Sequence, residues 1–237
     1  MAPKIVTLIR HGQAEHNVNE RYHIRDPYLT PLGETQCLTL PDRFPPSPPV
    51  SLLVSSPLKR TIQTTLLGFP TQIHSGVPVL LLPQLQETSS LPCDTGSDVP
   101  ILRADPMLKR TAHGSRAVLD FSACEAAASE WTSKKGFWGP DPAALTERAR
   151  WVRKWLRERP EENVVCVLHG GFLHYLTEDW KGTGDFPGTG WSNTECRTYV
   201  WVGDTDSLQE TEESKKHRTH GKPLGKTELN QFLSSHT

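Results

Sequence analysis

The chain has 237 residues, of which 35% are hydrophobic and 22% are charged. At about 150 residues per domain, this length predicts one large domain with an appendage. The net charge is -1, so no overall field attracts nucleic acid or an anionic membrane. An anion that binds to this protein must therefore be held by a local group of cationic side chains.

Two apolar, β-branched runs near the start of the chain predict strands. The first, residues 4–10, stops at an Arg-His-Gly sequence, so we expect a buried strand that opens into a loop. The second, residues 50–57, ends in Ser-Ser-Pro and precedes residues 58–67. Pro57 and the two serines are expected to start a helix there.

Two further runs follow. Residues 77–83 predict a short or edge strand because prolines flank them. Residues 163–168 predict a buried strand, after a helix over residues 141–159 whose apolar side chains recur near 3.6-residue spacing. Strands that alternate with helices favour an α/β fold, a three-layer sandwich with a mostly parallel central sheet.

Three segments have the composition of irregular structure. The proline-dense residues 41–49 predict a loop. From Glu87 to Gly114 the chain is rich in Ser, Pro, Asp and Gly, which predicts a functional lid or a partly disordered insertion within residues 87–140. The polar residues 203–237 predict a flexible tail, so the domain is expected to span residues 1–202.

The cysteines and the apolar runs bear on metal binding and compartment. The five cysteines include no Cys-x-x-Cys pair, which argues against a zinc site and a disulfide framework. No apolar run reaches the length of about 18 residues that could span a bilayer, and the N-terminus lacks a signal-peptide pattern. We expect a soluble cytoplasmic or nuclear protein that binds neither nucleic acid nor membrane. The sequence does not indicate its oligomeric state.

Basic side chains follow the predicted strand ends. Sites in parallel sheets lie at the carboxyl ends of the strands, where this chain has Arg10 with His11, Arg60 and His169. Arginine binds phosphate oxygens bidentately, and a neutral histidine is a nucleophile. These residue types suit phosphoryl transfer through a phosphohistidine. An Arg-His pair in a solvated loop without a catalytic role is the common alternative, so this pattern alone allows phosphoryl transfer but does not establish it.

Several motifs resemble those of the histidine phosphatase superfamily, whose fold is shared by cofactor-dependent phosphoglycerate mutase and many phosphatases. They occur in the family's order and cover roughly residues 4–202. The similar segments are Leu8–Asn17 with the Arg-His-Gly signature, Leu29–Gln36, Ser55–Thr64 with the second arginine, Leu85–Glu87 with the acid, and Val167–Gly171 with the second histidine.

The resemblance implies catalytic roles. His11 would be the nucleophile that becomes phosphorylated, and His169 would help to hold the phosphoryl group. Glu87 would give a proton to the leaving oxygen and then take one from water, so it must begin protonated. Asp94 in the same insertion is the alternative acid.

The resemblance also implies the substrate-binding residues. Arg10 and Arg60, together with His169, would contact the phosphoryl oxygens. Asn17 would add a hydrogen bond, and Gly170 is expected to line the site. The positively charged side chains would stabilise the negative charge of the phosphoryl group, as a metal ion does in other enzymes, so no metal or other cofactor is expected.

Two departures from the mutase pattern favour a phosphatase of a small phosphomonoester. After Glu87 no basic residue occurs until Arg103, although a mutase needs extra cations there. Gly171 stands where mutases have an asparagine. Residues 92–96 resemble the corresponding residues in a less characterised branch of phosphoglycerate mutase-like proteins found in fungi. A mutase, or a noncatalytic interaction module on the same fold, remain the alternatives.

Other residues have competing interpretations. His16 fits no common zinc spacing and is expected to be a pocket or surface residue, whereas His174 is expected to be packed or exposed. Tyr22, His23 and Arg25 either line an entrance or face solvent. The remaining candidates are tryptophans that belong either to the core or to a substrate wall, namely Trp131, Trp138, Trp180 and Trp191.

Overall fold

The structure is a computed structural model that describes residues 5–43, 49–112, 119–179 and 190–218. Its strands are β1 (Ile5–Arg10), β2 (Leu52–Ser55), β3 (Val79–Leu81), β4 (Leu119–Asp120), β5 (Asn163–Leu168), β6 (Cys196–Trp201) and β7 (Leu208–Glu210). They form one sheet in the order β4-β3-β2-β5-β1-β6-β7. All neighbours from β4 to β1 are parallel, whereas β6 and β7 are antiparallel. The prediction of a mostly parallel sheet is confirmed.

The helices are α1 (Pro31–Leu38), α2 (Leu40–Arg43), α3 (Lys59–Gly68), α4 (Pro70–His74), α5 (Val99–Ala104), α6 (Pro106–Thr111), α7 (Ser122–Ala126), α8 (Pro142–Glu158), α9 (Gly170–Thr177) and α10 (Glu212–Lys216). Short 3-10 turns cover Glu15–Asn17, Pro83–Leu85, Pro92–Asp94, Glu130–Thr132 and Gly136–Trp138. In the ranges that the structure describes, no helix is long and apolar enough to cross a membrane.

The central strand β5 shows why the fold has three layers. Successive side chains of a strand point to opposite faces. Val164, Cys166 and Leu168 therefore pack in one core with α8 and α9, while Val165 and Val167 pack in the other with α3, α4 and α5 to α7. Both faces of the sheet are covered, as a parallel sheet requires, and the predicted three-layer sandwich is confirmed.

The start of α3 differs from the prediction. The helix begins at Lys59 after Leu58, whose side chain makes no capping hydrogen bond. Instead the buried carboxylate of Asp26 accepts the Lys59 N–H at 2.9 Å. The helix expected over residues 58–67 is thus present with a shift of one residue, but the serines and Pro57 do not cap it because the capping group comes from a distant part of the chain.

The flexible tail expected from Gly203 is not what the structure shows up to residue 218. Strand β7 pairs with β6 at the edge of the sheet, and the buried Glu210 accepts hydrogen bonds from Ser214 at 2.7 Å and from Arg218 at 3.0 Å. These contacts join residues 208–218 to the sheet. Residues 219–237 lie outside the described residues.

Two other segments contain regular structure that was not predicted. The proline-dense stretch starts within α2, and its residues 44–48 lie outside the described part of the chain. The insertion after Glu87 carries α5, α6 and α7, and its strand β4 pairs with β3. Most of the described insertion is thus part of the sandwich, whereas Cys93 and Asp94 contact Arg60 and Lys134 contacts Glu87.

Candidate active site

The carboxyl ends of the three central strands lie side by side. β1 and β5 stay in register to their last residues, and β2 ends one position earlier. His11, Ser56 and His169 are the residues that follow these ends. The backbone N–H of His11 still donates to Leu168 O at 3.0 Å, and the His11 and His169 ring centroids are 5.2 Å apart. The register of the sheet therefore brings the two predicted histidines together.

Close packing explains the glycines of the first two motifs. A Cβ on Gly33 would lie 1.9 Å from Gln13 O, and one on Gly12 would lie 2.8 Å from Gly33 O. The loop after β1 thus rests directly on α1, where the Gln13 N–H also donates to Gln36 Oε1 at 2.8 Å. This contact fixes the backbone that carries His11.

The hydrogen bonds of His11 define its tautomer. Its Nδ1 lies 2.7 Å from Gly12 O, and because a carbonyl can only accept, Nδ1 must carry the proton. Nε2 then holds the lone pair and accepts from Arg60 Nε–H at 3.3 Å. Burial, followed by the charges of Arg60 and Arg10, holds the pKa of His11 well below its usual value. His11 is therefore neutral, with the lone pair on Nε2.

Arg60 on α3 links His11 to the insertion. The side chain is fully buried, and Nη1 donates to Cys93 O at 2.6 Å while Nη2 pairs with Asp94 Oδ1 at 3.2 Å. The other carboxylate oxygen of Asp94 accepts from Ser89 Oγ at 2.5 Å. Asp94 is thus the counter-ion of Arg60. This position differs from the role of proton donor, for which Asp94 was the alternative to Glu87.

Asn17 contacts His16. Its Oδ1 accepts the Ala14 N–H at 3.0 Å, so its Nδ2 must donate to His16 Nε2, which lies 3.1 Å away. The proton of neutral His16 is therefore on Nδ1. The His16 ring centroid is 5.7 Å from that of His11, and burial, followed by Arg60 and Arg10, lowers its pKa to about 2. His16 is a neutral pocket residue at this site.

Buried polar atoms around His11 have no hydrogen-bond partner within the described ranges. They are Arg10 Nε, His16 Nδ1 and His169 Nδ1. Arg10 donates through Nη1 to Trp191 O, and His169 Nε2 lies 2.8 Å from the Ser56 hydroxyl. When the Ser56 hydroxyl donates to Nε2, the single proton of the neutral His169 ring is on Nδ1. The site thus presents unsatisfied donors beside two arginines.

The Glu87 carboxylate lies at the N-terminus of α9. One oxygen accepts from Gly171 N at 3.1 Å, and the other accepts from Phe172 N at 2.9 Å and Thr88 N at 3.0 Å. Burial, followed by the negative charge of Asp94, raises the pKa of Glu87, although Arg60 and the Gly171 N–H oppose this shift. Gly170, the first residue of α9, is buried and directly precedes Gly171 and Phe172, whose N–H groups donate to Glu87.

Two cationic residues at this site were not predicted from the sequence. Lys134 Nζ donates to Glu87 O at 3.1 Å. Arg148 on α8 donates to Gln86 O at 2.9 Å, and its guanidinium lies 4.3 Å from the Phe172 ring centroid. Arg148 had a detectable signal, because it falls on the apolar stripe of α8. Lys134 had none, since it lies far along the insertion from Glu87.

The remaining candidates lie around the site or away from it. His174 is buried, with Nδ1 3.2 Å from Asp179 O, and is a packed residue. The exposed Arg25 donates to Gly96 O at 3.0 Å and so contacts the insertion. Tyr22 is half-buried and His23 is exposed.

The tryptophans Trp131, Trp138 and Trp191 are buried, and Trp180 lies outside the described residues. Among the described residues, no group of three or more His, Cys, Asp or Glu could hold a metal ion.

Comparison with known proteins decides the family. The sequence profile of the histidine phosphatase superfamily (branch 1) matches residues 6–213. This chain belongs to the histidine phosphatase superfamily. The match confirms the expected resemblance and the enzyme class, a phosphatase of this family, and it extends beyond the expected boundary at residue 202.

Individual relatives agree with the superfamily assignment. A probable phosphatase of Schizosaccharomyces pombe is 28% identical over 171 residues, covering 70% of this chain and 74% of that protein. A phosphoglycerate mutase-like protein of Arabidopsis thaliana is 30% identical over 209 residues, covering 73% of each. The structure of Bacillus stearothermophilus YhfR superimposes with a TM-score of 0.55 at 18% identity, covering 87% of this histidine phosphatase and 95% of that chain. That likeness shows the shared fold.

Proposed function

We propose that this histidine phosphatase hydrolyses a small phosphomonoester through a phosphohistidine intermediate on His11. The observation that carries the proposal is the combination at one site of a neutral His11 Nε2 and unsatisfied donors. A phosphate dianion would satisfy these donors, and burial strengthens their effect because the local dielectric constant is low.

In the first half-reaction, His11 Nε2 attacks phosphorus. The N–P bond forms as the ester P–O bond breaks, and the proton of Glu87 moves to the leaving oxygen. Arg60 exchanges its hydrogen bond with His11 for one with a phosphoryl oxygen. Arg10 Nε and His169 Nδ1 donate to the others, and stabilise the charge of the transferring group.

In the second half-reaction, water attacks phosphorus. The carboxylate of Glu87 takes a proton from the water, the N–P bond breaks and inorganic phosphate leaves. Glu87 suits the proton transfers because its pKa is raised. Asp94 suits them less because it forms an ion pair with Arg60.

A mutase remains the second candidate because of Lys134. The lack of a basic residue just after Glu87 favoured hydrolysis, but the end of the insertion brings this lysine to within 3.1 Å of Glu87 O. One relative is described as phosphoglycerate mutase-like and another as a probable phosphatase. Gly171, which differs from the mutase pattern, still favours water as the acceptor.

The test is phosphate release from a broad panel of phosphomonoesters by the wild type and by His11→Ala, with His74→Ala as a control at an exposed histidine on α4. We expect turnover of at least one substrate by the wild type and the control, and none by His11→Ala. A coupled assay with 3-phosphoglycerate, with and without a bisphosphate primer, separates the candidates. Primer-dependent isomerisation would establish the mutase, whereas release from no substrate would favour the noncatalytic module.

A further inference from the structure

Lys134 is a buried cation at the site that the two half-reactions do not use. The residue is 8% exposed, and the hydrogen bond from Nζ to Glu87 O uses one of the three N–H groups of its ammonium. In the part of the chain that the structure describes, no salt bridge joins this ammonium to a carboxylate. A buried charge without a partner is costly, so the position calls for an anion.

The turn that carries Lys134 is fixed by specific contacts. The Gln86 side chain donates to Trp131 O at 2.8 Å, and a Cβ on Gly96 would lie 2.5 Å from the Trp131 ring. Lys134 itself has a φ of 56°, in the left-handed region that non-glycine residues adopt only at a cost. Such strained positions persist where the surrounding structure imposes them, and they cluster at functional sites.

The charged groups that act on Lys134 come from every neighbouring element. Arg60 on α3, Arg148 on α8 and His169 after β5 are basic, whereas Glu87 and Asp94 are acidic. Both acids already have partners, since Asp94 pairs with Arg60 and Glu87 accepts from the backbone of α9. The ammonium therefore lies among other cations, and both nearby acids already have hydrogen-bond partners, which is an arrangement that suits an anion.

We propose that Lys134 is a further anion-binding residue of the active site, whose ammonium pairs with the bound phosphoryl group on the side of Glu87. This inference rests on the phosphate site of the proposed function. The insertion thus supplies a cation to the strand-end site, next to the acid that serves the leaving oxygen.

Proton uptake gives the proposal a distinctive signature. Burial, partly opposed by Asp94 and reinforced by Arg148, lowers the pKa of Lys134 to about 7 in the free protein. At pH 8 most of the amine is then neutral. A phosphate dianion beside it favours the charged form, so phosphate binding at pH 8 should be accompanied by proton uptake at Lys134.

The experiment is a calorimetric titration of the full chain with inorganic phosphate at pH 7 and at pH 8, in two buffers with different ionisation enthalpies. Wild type is compared with Lys134→Met, with Lys134→Arg, and with Lys135→Met, which removes the exposed neighbouring lysine. We expect Lys134→Met to take up fewer protons than wild type at pH 8 and to bind phosphate at least about tenfold more weakly at pH 7. Lys135→Met should match wild type.

Lys134→Arg separates binding from a structural role. Arginine is always charged, so this variant should retain phosphate affinity while losing the proton uptake. Equal phosphate affinity of wild type and Lys134→Met would overturn the proposal, and so would a wild type that binds no phosphate. The titration needs no turnover, so normal uptake by a protein that is inactive on the whole substrate panel would refute the phosphatase and leave the role of Lys134 intact.

Discussion

Replacement of Glu87 by glutamine tests the proposed proton donor. Loss of a general acid typically slows a reaction by about 10² to 10⁴, or roughly 2.7 to 5.4 kcal/mol in the barrier. The loss should depend on the leaving group. Alkoxide leaving groups need the proton, so an alkyl phosphate should show the full effect, whereas p-nitrophenyl phosphate should lose less than about tenfold.

The contacts of Glu87 also predict a structural cost for this variant. A glutamine oxygen can still accept from Phe172 and Thr88, but its NH₂ group then faces the Gly171 N–H. One unsatisfied donor at the start of α9 costs about 1 to 3 kcal/mol. Urea unfolding measures this cost, and assays must be run where the variant is folded.

The assay is steady-state kcat for the two substrates between pH 5 and 9, with Asp94→Asn as the matched variant. A donor must be protonated, so the wild-type kcat for the alkyl phosphate should fall as pH rises through the raised pKa of Glu87. Glu87→Gln should lack that decline. An equal loss for both substrates in Glu87→Gln, or a dependence on the leaving group that appears in Asp94→Asn instead, would refute the assignment.

Three further predictions concern the nucleophile and its supports. Because the pKa of His11 is held well below its usual value, wild-type kcat for p-nitrophenyl phosphate should stay nearly constant between pH 7 and 5.5. An unperturbed histidine with a pKa near 6.5 would require a fall of about tenfold, and such a fall would contradict a neutral His11. Asp26→Ala removes the acceptor of the Lys59 and Ser97 N–H groups and should reduce the free energy of unfolding by about 2 to 4 kcal/mol; urea denaturation with no change would show that Asp26 does not cap α3. Gly33→Ala should lower the melting temperature and the kcat because its Cβ would meet Gln13 O, whereas Leu32→Ala, at an exposed position of the same helix, should change neither by much; equal effects would contradict the close packing.

The strand ends of this fold could be predicted because their signals are local. Residues 5–10 and 163–168 lie in apolar runs that are each followed by a histidine and a glycine, and they form β1 and β5 as predicted. The 3.6-residue spacing likewise predicted α8. Placing His11 beside His169 then needed only the rule that parallel strands have their sites at their carboxyl ends.

The parts that were missed depend on tertiary contacts. Strand β7 is short and polar, so only its pairing with β6 at the sheet edge makes it a strand. Lys134 reaches Glu87 because of how the insertion folds, and no spacing in the sequence encodes that contact. The ion pair of Asp94 with Arg60 could not be read from the sequence either, and it is this pair that distinguishes Asp94 from Glu87.

The proposed mechanism places the transferred phosphoryl group on His11. The most direct measurement is rapid acid-free quenching of the enzyme during turnover of a ³²P-labelled substrate, followed by mapping of the labelled peptide. We predict a label that is stable in base, lost in acid, located on His11 and absent from His11→Ala. Turnover with no such label, or a label retained by His11→Ala, would contradict the account.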